Sequence, residues 1–271
     1  MIKNKELFQR DPTTSKLLND GVAAVKDAAT EQELETLRYE LSHFVCEGQY
    51  KDGIVRILES YISGINSATQ LAAWISGFYG SGKSHLEKML RHLWVDTKFP
   101  KTGETARGLA RLPAEVKELL KELDTLGQRF GGLHAAVGAL PAGGGLNVRI
   151  AVLSILFKSK ELPESLPQAQ FCLWLQKNGM FAKVKKTVEA AGKNFYRELN
   201  DLYVSPVVAK ALLAADPEFA SDERKAKEAL RAQFPRRETV TDEEFIRLIR
   251  EVLEENGKLP CTVIVLDEIQ L

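Results

Sequence analysis

Three stretches of the chain carry hydrophobic patterns that predict two strands and a helix of an α/β fold. The apolar run Leu71–Ile75 is typical of a buried strand. Val263–Leu266 is short, β-branched and apolar throughout, as expected of a strand buried on both faces of a parallel sheet. Between them, apolar residues recur at helical spacing and predict an amphipathic helix. These residues are Leu86, Met89, Leu90, Leu93 and Trp94.

The N-terminal pattern is mostly helical. Thr30 followed by Glu33 has the spacing of a capping box, so a helix is expected to begin there. Turns are predicted at Gly48 and Gly53, and a second helix is expected after Gly53.

Farther along the chain, helices dominate the predicted elements. Leu133–Val137 is predicted to be a strand because glycines flank a short apolar run. The segment Val148–Phe157 is ambiguous: its β-branched residues suggest a strand, whereas its length and Asn147 as an N-cap favour a helix. The last predicted helix has Thr241 as its N-cap and Gly257 just beyond its C-terminal end.

The segment between the first strand and the amphipathic helix matches the Walker A pattern G-x-x-x-x-G-K-[ST]. We refer to Gly77–Ser84 as the glycine loop. Glycines let the backbone curl around a phosphate, and a helix that starts there offers free N–H groups and a favourable dipole. Lys83 is expected to reach the β- and γ-phosphates, and Ser84 to hold Mg²⁺. The expected nucleotide contacts are Gly77, Gly80, Ser81, Gly82, Lys83, Ser84 and His85. The alternative is an ordinary glycine turn before a helix.

Two acidic residues follow the last predicted strand in the manner of a Walker B motif. Asp267 is expected to bind Mg²⁺, directly or through water. Glu268 is the candidate catalytic residue because its carboxylate would polarise the attacking water. A carboxylate directly after the Walker B aspartate points to the additional-strand class of P-loop ATPases. The predicted cofactors are therefore ATP and Mg²⁺.

These patterns predict an α/β chain with four segments. Residues 1–66 form an N-terminal helical segment, and residues 67–157 form the first part of a P-loop NTPase core. Residues 158–257 are interpreted as a large helical insertion, and residues 258–271 as the Walker B strand, after which the core is incomplete. The chain is therefore expected to be part of a longer protein. The alternative is a complete small protein with a three-stranded sheet.

Composition adds few constraints. Lys and Arg number 37, as do Asp and Glu, so the overall charge does not indicate a nucleic-acid-binding protein. The cysteines Cys46, Cys172 and Cys261 are far apart in apolar surroundings and are expected to be buried thiols in a reducing cytoplasm. No apolar run approaches the ~18 residues of a membrane-spanning helix, so no membrane association is expected.

Several segments together resemble the large P-loop ATPase of bacteriophage exclusion (BREX) systems, the BrxC/PglY type. The resemblance lies in Asp20–Gly21, Phe44–Tyr50, Trp74–His85, Phe157–Ser159, Pro167–Phe171 and Val263–Gln270. It implies a much longer protein that acts in phage defence with a DNA methyltransferase and other BREX proteins. Contact with DNA through that complex, and oligomerisation of the full-length protein, are compatible with the resemblance.

Two functional hypotheses follow. The first is an ATP hydrolase that drives remodelling or assembly of a defence complex on DNA. The second is a nucleotide-gated scaffold that binds ATP as a switch with little turnover. Glu268 favours the first hypothesis because a base beside the attacking water serves hydrolysis.

Overall fold

The computed structural model describes Glu6, Leu18 and residues 30–67, 72–140 and 147–267. Within these ranges the chain is α/β and largely helical, with a parallel two-stranded sheet. The N-terminal helices are α1 (Glu31–His43), α2 (Gly48–Gly64), α3 (Lys83–Trp94), α4 (Ala106–Leu109) and α5 (Ala114–Arg129). The later helices are α6 (Val148–Ser159), α7 (Leu166–Lys177), α8 (Phe181–Ala190), α9 (Phe195–Glu198), α10 (Pro206–Ala215), α11 (Glu223–Gln233) and α12 (Asp242–Leu253). The strands are β1 (Leu133–Ala139) and β2 (Cys261–Asp267).

The chain divides into two compact units. One extends to Gly138 and also includes Pro260–Asp267, so it holds both the glycine loop and β2. The other is Ala139–Leu259, which contains α6 to α12. No described helix combines the length and apolar character needed to cross a membrane. The three cysteines are free and buried, as the sequence predicted.

Helix α3 is the central element of the first unit. Its predicted apolar face is confirmed, since Met89 and Leu93 are fully buried and Trp94 is almost so. The Trp94 indole Nε1 donates a hydrogen bond to the carbonyl oxygen of Cys261 at 3.0 Å. A buried N–H needs such a partner. The bond therefore fixes the C-terminal end of α3 against the start of β2.

Polar contacts also hold α3 in place. Lys88 forms a 2.6 Å ion pair with the buried carboxylate of Glu40 on α1. At the C-terminal end, Arg107 donates to the carbonyl oxygens of Leu93 at 2.6 Å and Trp94 at 2.8 Å. The last carbonyls of a helix have no intrahelical partners and favour a cation. The middle and the C-terminal end of α3 are thus tied to neighbouring elements.

The strand predicted before the glycine loop is not present in the described residues 72–75. Trp74 is 66% exposed there, and β2 pairs with β1 instead. An apolar run forms a strand only when another strand supplies its hydrogen bonds, and this segment has none within the described part of the chain. The prediction that β2 is buried on both faces is also wrong, because Ile264 remains 38% exposed.

The helix starts are predicted better than the turns between helices. The capping box of α1 is confirmed. Glu33 N donates a hydrogen bond to Thr30 Oγ1 at 3.2 Å, and Thr30 N donates one to Glu33 Oε2 at 3.0 Å. The turn predicted at Gly53 is wrong, because α2 runs through it from Gly48. A helical glycine costs about 1 kcal/mol. The position faces α3, since a Cβ placed on Gly53 would lie 3.8 Å from Leu86 Cδ2.

In the second unit, the helical interpretation of the ambiguous segment is confirmed. Helix α6 begins after Asn147, whose side chain accepts a 2.9 Å hydrogen bond from Arg149 N. Helix α12 begins after Thr241, as predicted, but it ends at Leu253, before Gly257. The helix ends early because Glu255 and Lys258 form an antiparallel bridge, and Gly257 lies in the turn between them.

Candidate functional site

The glycine loop forms a tight turn that leads directly into α3. Gly80 and Gly82 have left-handed backbones, with φ of 77° and 82°. Ser81 N donates to the carbonyl oxygen of Phe78 at 3.1 Å, which closes the turn. Lys83 Nζ donates to the carbonyl oxygens of Gly77 and Phe78, each at 3.0 Å. The Lys83 ammonium therefore connects the two ends of the loop and stabilises its compact turn.

The structure brings together the two predicted magnesium ligands. Ser84 Oγ donates a hydrogen bond to Asp267 Oδ1 at 3.3 Å, although the two residues are 183 positions apart in the sequence. Ser84 lies in the first turn of α3, and Asp267 is the last residue of β2. The contact follows from the packing of α3 against β2. Glu268, the candidate catalytic residue, lies outside the described residues.

His85 lies in the first turn of α3, and its side chain packs against that of Phe44. Its ring meets that of Phe44 edge to face, with the centroids 5.7 Å apart. Burial lowers the pKa of His85, and the charge of Glu40 partly opposes this effect. The imidazole is therefore held neutral near pH 7 and packs against Phe44, the residue that caps α1.

Tyr50 is a site residue that the pattern analysis did not identify. Its hydroxyl donates a 3.0 Å hydrogen bond to the carbonyl oxygen of Ser81, in the middle of the glycine loop. Tyr50 lies in the first turn of α2 and belongs to one of the segments that carry the family resemblance. No sequence pattern links an α2 hydroxyl to a loop 31 residues away, so only the structure reveals this contact.

Glu87 is a second residue that the pattern analysis missed. It lies one helical turn after Lys83, and the i, i+4 spacing places the two residues on the same side of α3. Glu87 Oε2 is buried with no hydrogen-bond partner among the described residues. Burial and then the charge of Asp267 raise the pKa of Glu87 to about 7, while Lys83 acts in the opposite direction. The i, i+4 relation to Lys83 was the available sequence signal.

We expect Glu87 to make the folded state less stable at high pH. A carboxyl whose pKa is about 7 when folded and ordinary when unfolded holds an extra proton in the folded state between those values. Stability should therefore fall as pH rises from about 4.5 to about 7. Glu87→Gln, which cannot ionise, should flatten this dependence in urea unfolding measured across that range. Glu118→Gln, on an exposed part of α5, is the control. An equal pH dependence in wild type and Glu87→Gln would contradict the expectation.

The chemistry of the site fits a phosphate chain and Mg²⁺. Lys83 has three N–H donors, two of which contact loop carbonyls, so one remains for a phosphate oxygen. A hydroxyl and a carboxylate, from Ser84 and Asp267, are the oxygen ligands that Mg²⁺ prefers. The loop is also closely fitted, because a Cβ on Gly77 would lie 2.7 Å from Ser81 Oγ. These residues could hold a magnesium-bound nucleotide.

Comparisons with known proteins do not assign the chain to a group. No protein-family model matches it, and no solved structure matches it significantly.

Proposed function

We propose that this protein binds ATP with Mg²⁺ at the glycine loop and hydrolyses it. The observation that carries the proposal is the hydrogen bond between Ser84 and Asp267, the first at the end of the glycine loop and the second at the end of β2. The Walker A and Walker B patterns call for a hydroxyl and a carboxylate at one metal site. Their contact at 3.3 Å supports that combination.

Each residue has a distinct role in this proposal. Lys83 and the first N–H groups of α3 would bind the β- and γ-phosphates. The lysine carries a full positive charge and the N–H groups at the start of a helix carry a partial one, so both attract the phosphate anions. Ser84 and Asp267 would hold Mg²⁺, which neutralises charge on the phosphates and polarises the transferred group. Glu268 would accept a proton from the attacking water.

We extend the proposal to the wider architecture and role. The core would be that of an additional-strand P-loop ATPase with a helical insertion, belonging to the ATPase of a BREX phage-defence system. It would act in the cytoplasm with other BREX proteins in a DNA-associated complex. Support comes from the resembling segments, from the geometry of the glycine loop and from three free, buried thiols, which are typical of reducing compartments.

A competition experiment tests the nucleotide proposal. A fluorescent ATP analogue bound to the protein in the presence of Mg²⁺ should be displaced by ATP and by inorganic tripolyphosphate. AMP should compete ~100-fold more weakly or not at all, because it lacks the phosphates that Lys83 would contact and so loses charge-assisted hydrogen bonds. Equal competition by AMP and ATP would contradict phosphate binding at the glycine loop.

A further inference from the structure

We propose that Tyr50 is a positioning residue for phosphate binding, which sets the direction of a backbone N–H in the glycine loop. The inference rests on the proposed function, since it concerns how the loop receives phosphates. It adds a role for α2, an element outside the Walker patterns.

The Tyr50 hydroxyl is held in a defined place. Tyr50 belongs to the first turn of α2, and its ring meets the ring of Phe44 edge to face, with the centroids 6.2 Å apart. Phe44 is 4% exposed and caps the C-terminal end of α1. Two helices thus fix the ring, and the hydroxyl reaches the Ser81 carbonyl oxygen at 3.0 Å.

This hydrogen bond determines where the Gly82 N–H points. The Ser81 carbonyl and the Gly82 N–H belong to one peptide unit, which is planar and trans. In such a unit the C=O and N–H groups point in opposite directions. Because Tyr50 holds the carbonyl towards α2, the Gly82 N–H is directed away from α2. Gly82 is the N-cap residue of α3 and one of the expected nucleotide contacts, so its N–H would join the first N–H groups of α3 in binding phosphate.

Gly82 and Tyr50 are also sterically matched. A Cβ at Gly82 would lie 1.9 Å from the Tyr50 hydroxyl oxygen and 3.2 Å from the ring carbon that carries it. The hydroxyl therefore occupies space that only glycine leaves open. The left-handed backbone of Gly82 adds a second reason for glycine at this position.

The first test is Tyr50→Phe, which removes only the hydroxyl. Binding of the fluorescent ATP analogue with Mg²⁺ should weaken about threefold to tenfold, as expected for one lost hydrogen bond. Displacement by tripolyphosphate should weaken by the same factor, because the effect acts on phosphate binding. Tyr39→Phe on α1 makes the same chemical change and serves as the control. Wild-type affinity in Tyr50→Phe would overturn the inference, and so would weaker binding of ATP with unchanged binding of tripolyphosphate.

The second test uses Gly82→Ala in two backgrounds. In the wild-type background the new methyl group meets the Tyr50 hydroxyl, and binding should be lost. In the Tyr50→Phe background the 1.9 Å contact no longer exists, so Gly82→Ala should cause a smaller loss. Equal losses in the two backgrounds would overturn the inference. Failure of the wild-type protein to bind the analogue would instead refute the proposed function, so the two failures are distinguishable.

Discussion

Lys83→Ala should abolish detectable ATP binding. The substitution removes the cation nearest the proposed phosphate site, and hydrogen bonds to charged groups are among the strongest in proteins. It also removes the two 3.0 Å contacts that keep the glycine loop curled. A loss of about 100-fold or more in affinity for the fluorescent ATP analogue is expected.

Lys121→Ala is the matched control for this prediction. Lys121 is an exposed residue of α5, so its removal takes away the same charge from another surface. Its affinity should equal that of the wild type. The proposed role in phage defence further predicts that Lys83→Ala abolishes protection against phage in cells that carry the system, and that Lys121→Ala preserves it. Undiminished ATP affinity in Lys83→Ala would count decisively against the assignment of the glycine loop.

Glu268→Gln should separate nucleotide binding from hydrolysis. The amide cannot accept a proton from water, and general-base catalysis contributes roughly 10²–10⁴-fold to rate. ATP turnover should fall by about that factor, while ATP affinity stays close to the wild-type value.

Glu118→Gln makes the same chemical change on an exposed part of α5 and should leave turnover unchanged. Wild-type turnover in Glu268→Gln would favour the nucleotide-gated scaffold or a different base. Loss of binding together with turnover would instead indicate that Glu268 supports the site structurally.

The sequence patterns correctly predicted the elements that are determined by residues close to one another in the sequence. The apolar face of α3 and the capping box at Thr30 were identified correctly because helical spacing and caps involve residues close in sequence. Asp267 was predicted to end a strand, and it ends β2. Together with the Walker A pattern, which identified Lys83 and Ser84, the strand end at Asp267 specified most of the candidate site.

The errors arose where long-range contacts decide the structure. The apolar character of residues 72–75 indicates that a strand could form, but it does not supply a pairing partner, and β2 pairs with β1. The glycine at position 53 indicates a turn, but α2 runs through it on a side that faces α3. The contact of Tyr50 with Ser81 and the burial of Glu87 likewise depend on how α2, α3 and β2 assemble.

Calorimetric titration of the protein with ATP tests the central claim most directly, when it is run once with Mg²⁺ and once with excess EDTA. The proposed metal site at Ser84 and Asp267, which share a hydrogen bond, predicts saturable binding of one ATP per chain that weakens when Mg²⁺ is removed. Asp267→Asn should reduce that metal dependence. Absence of binding with Mg²⁺, or binding of equal strength with and without it, would contradict the claim.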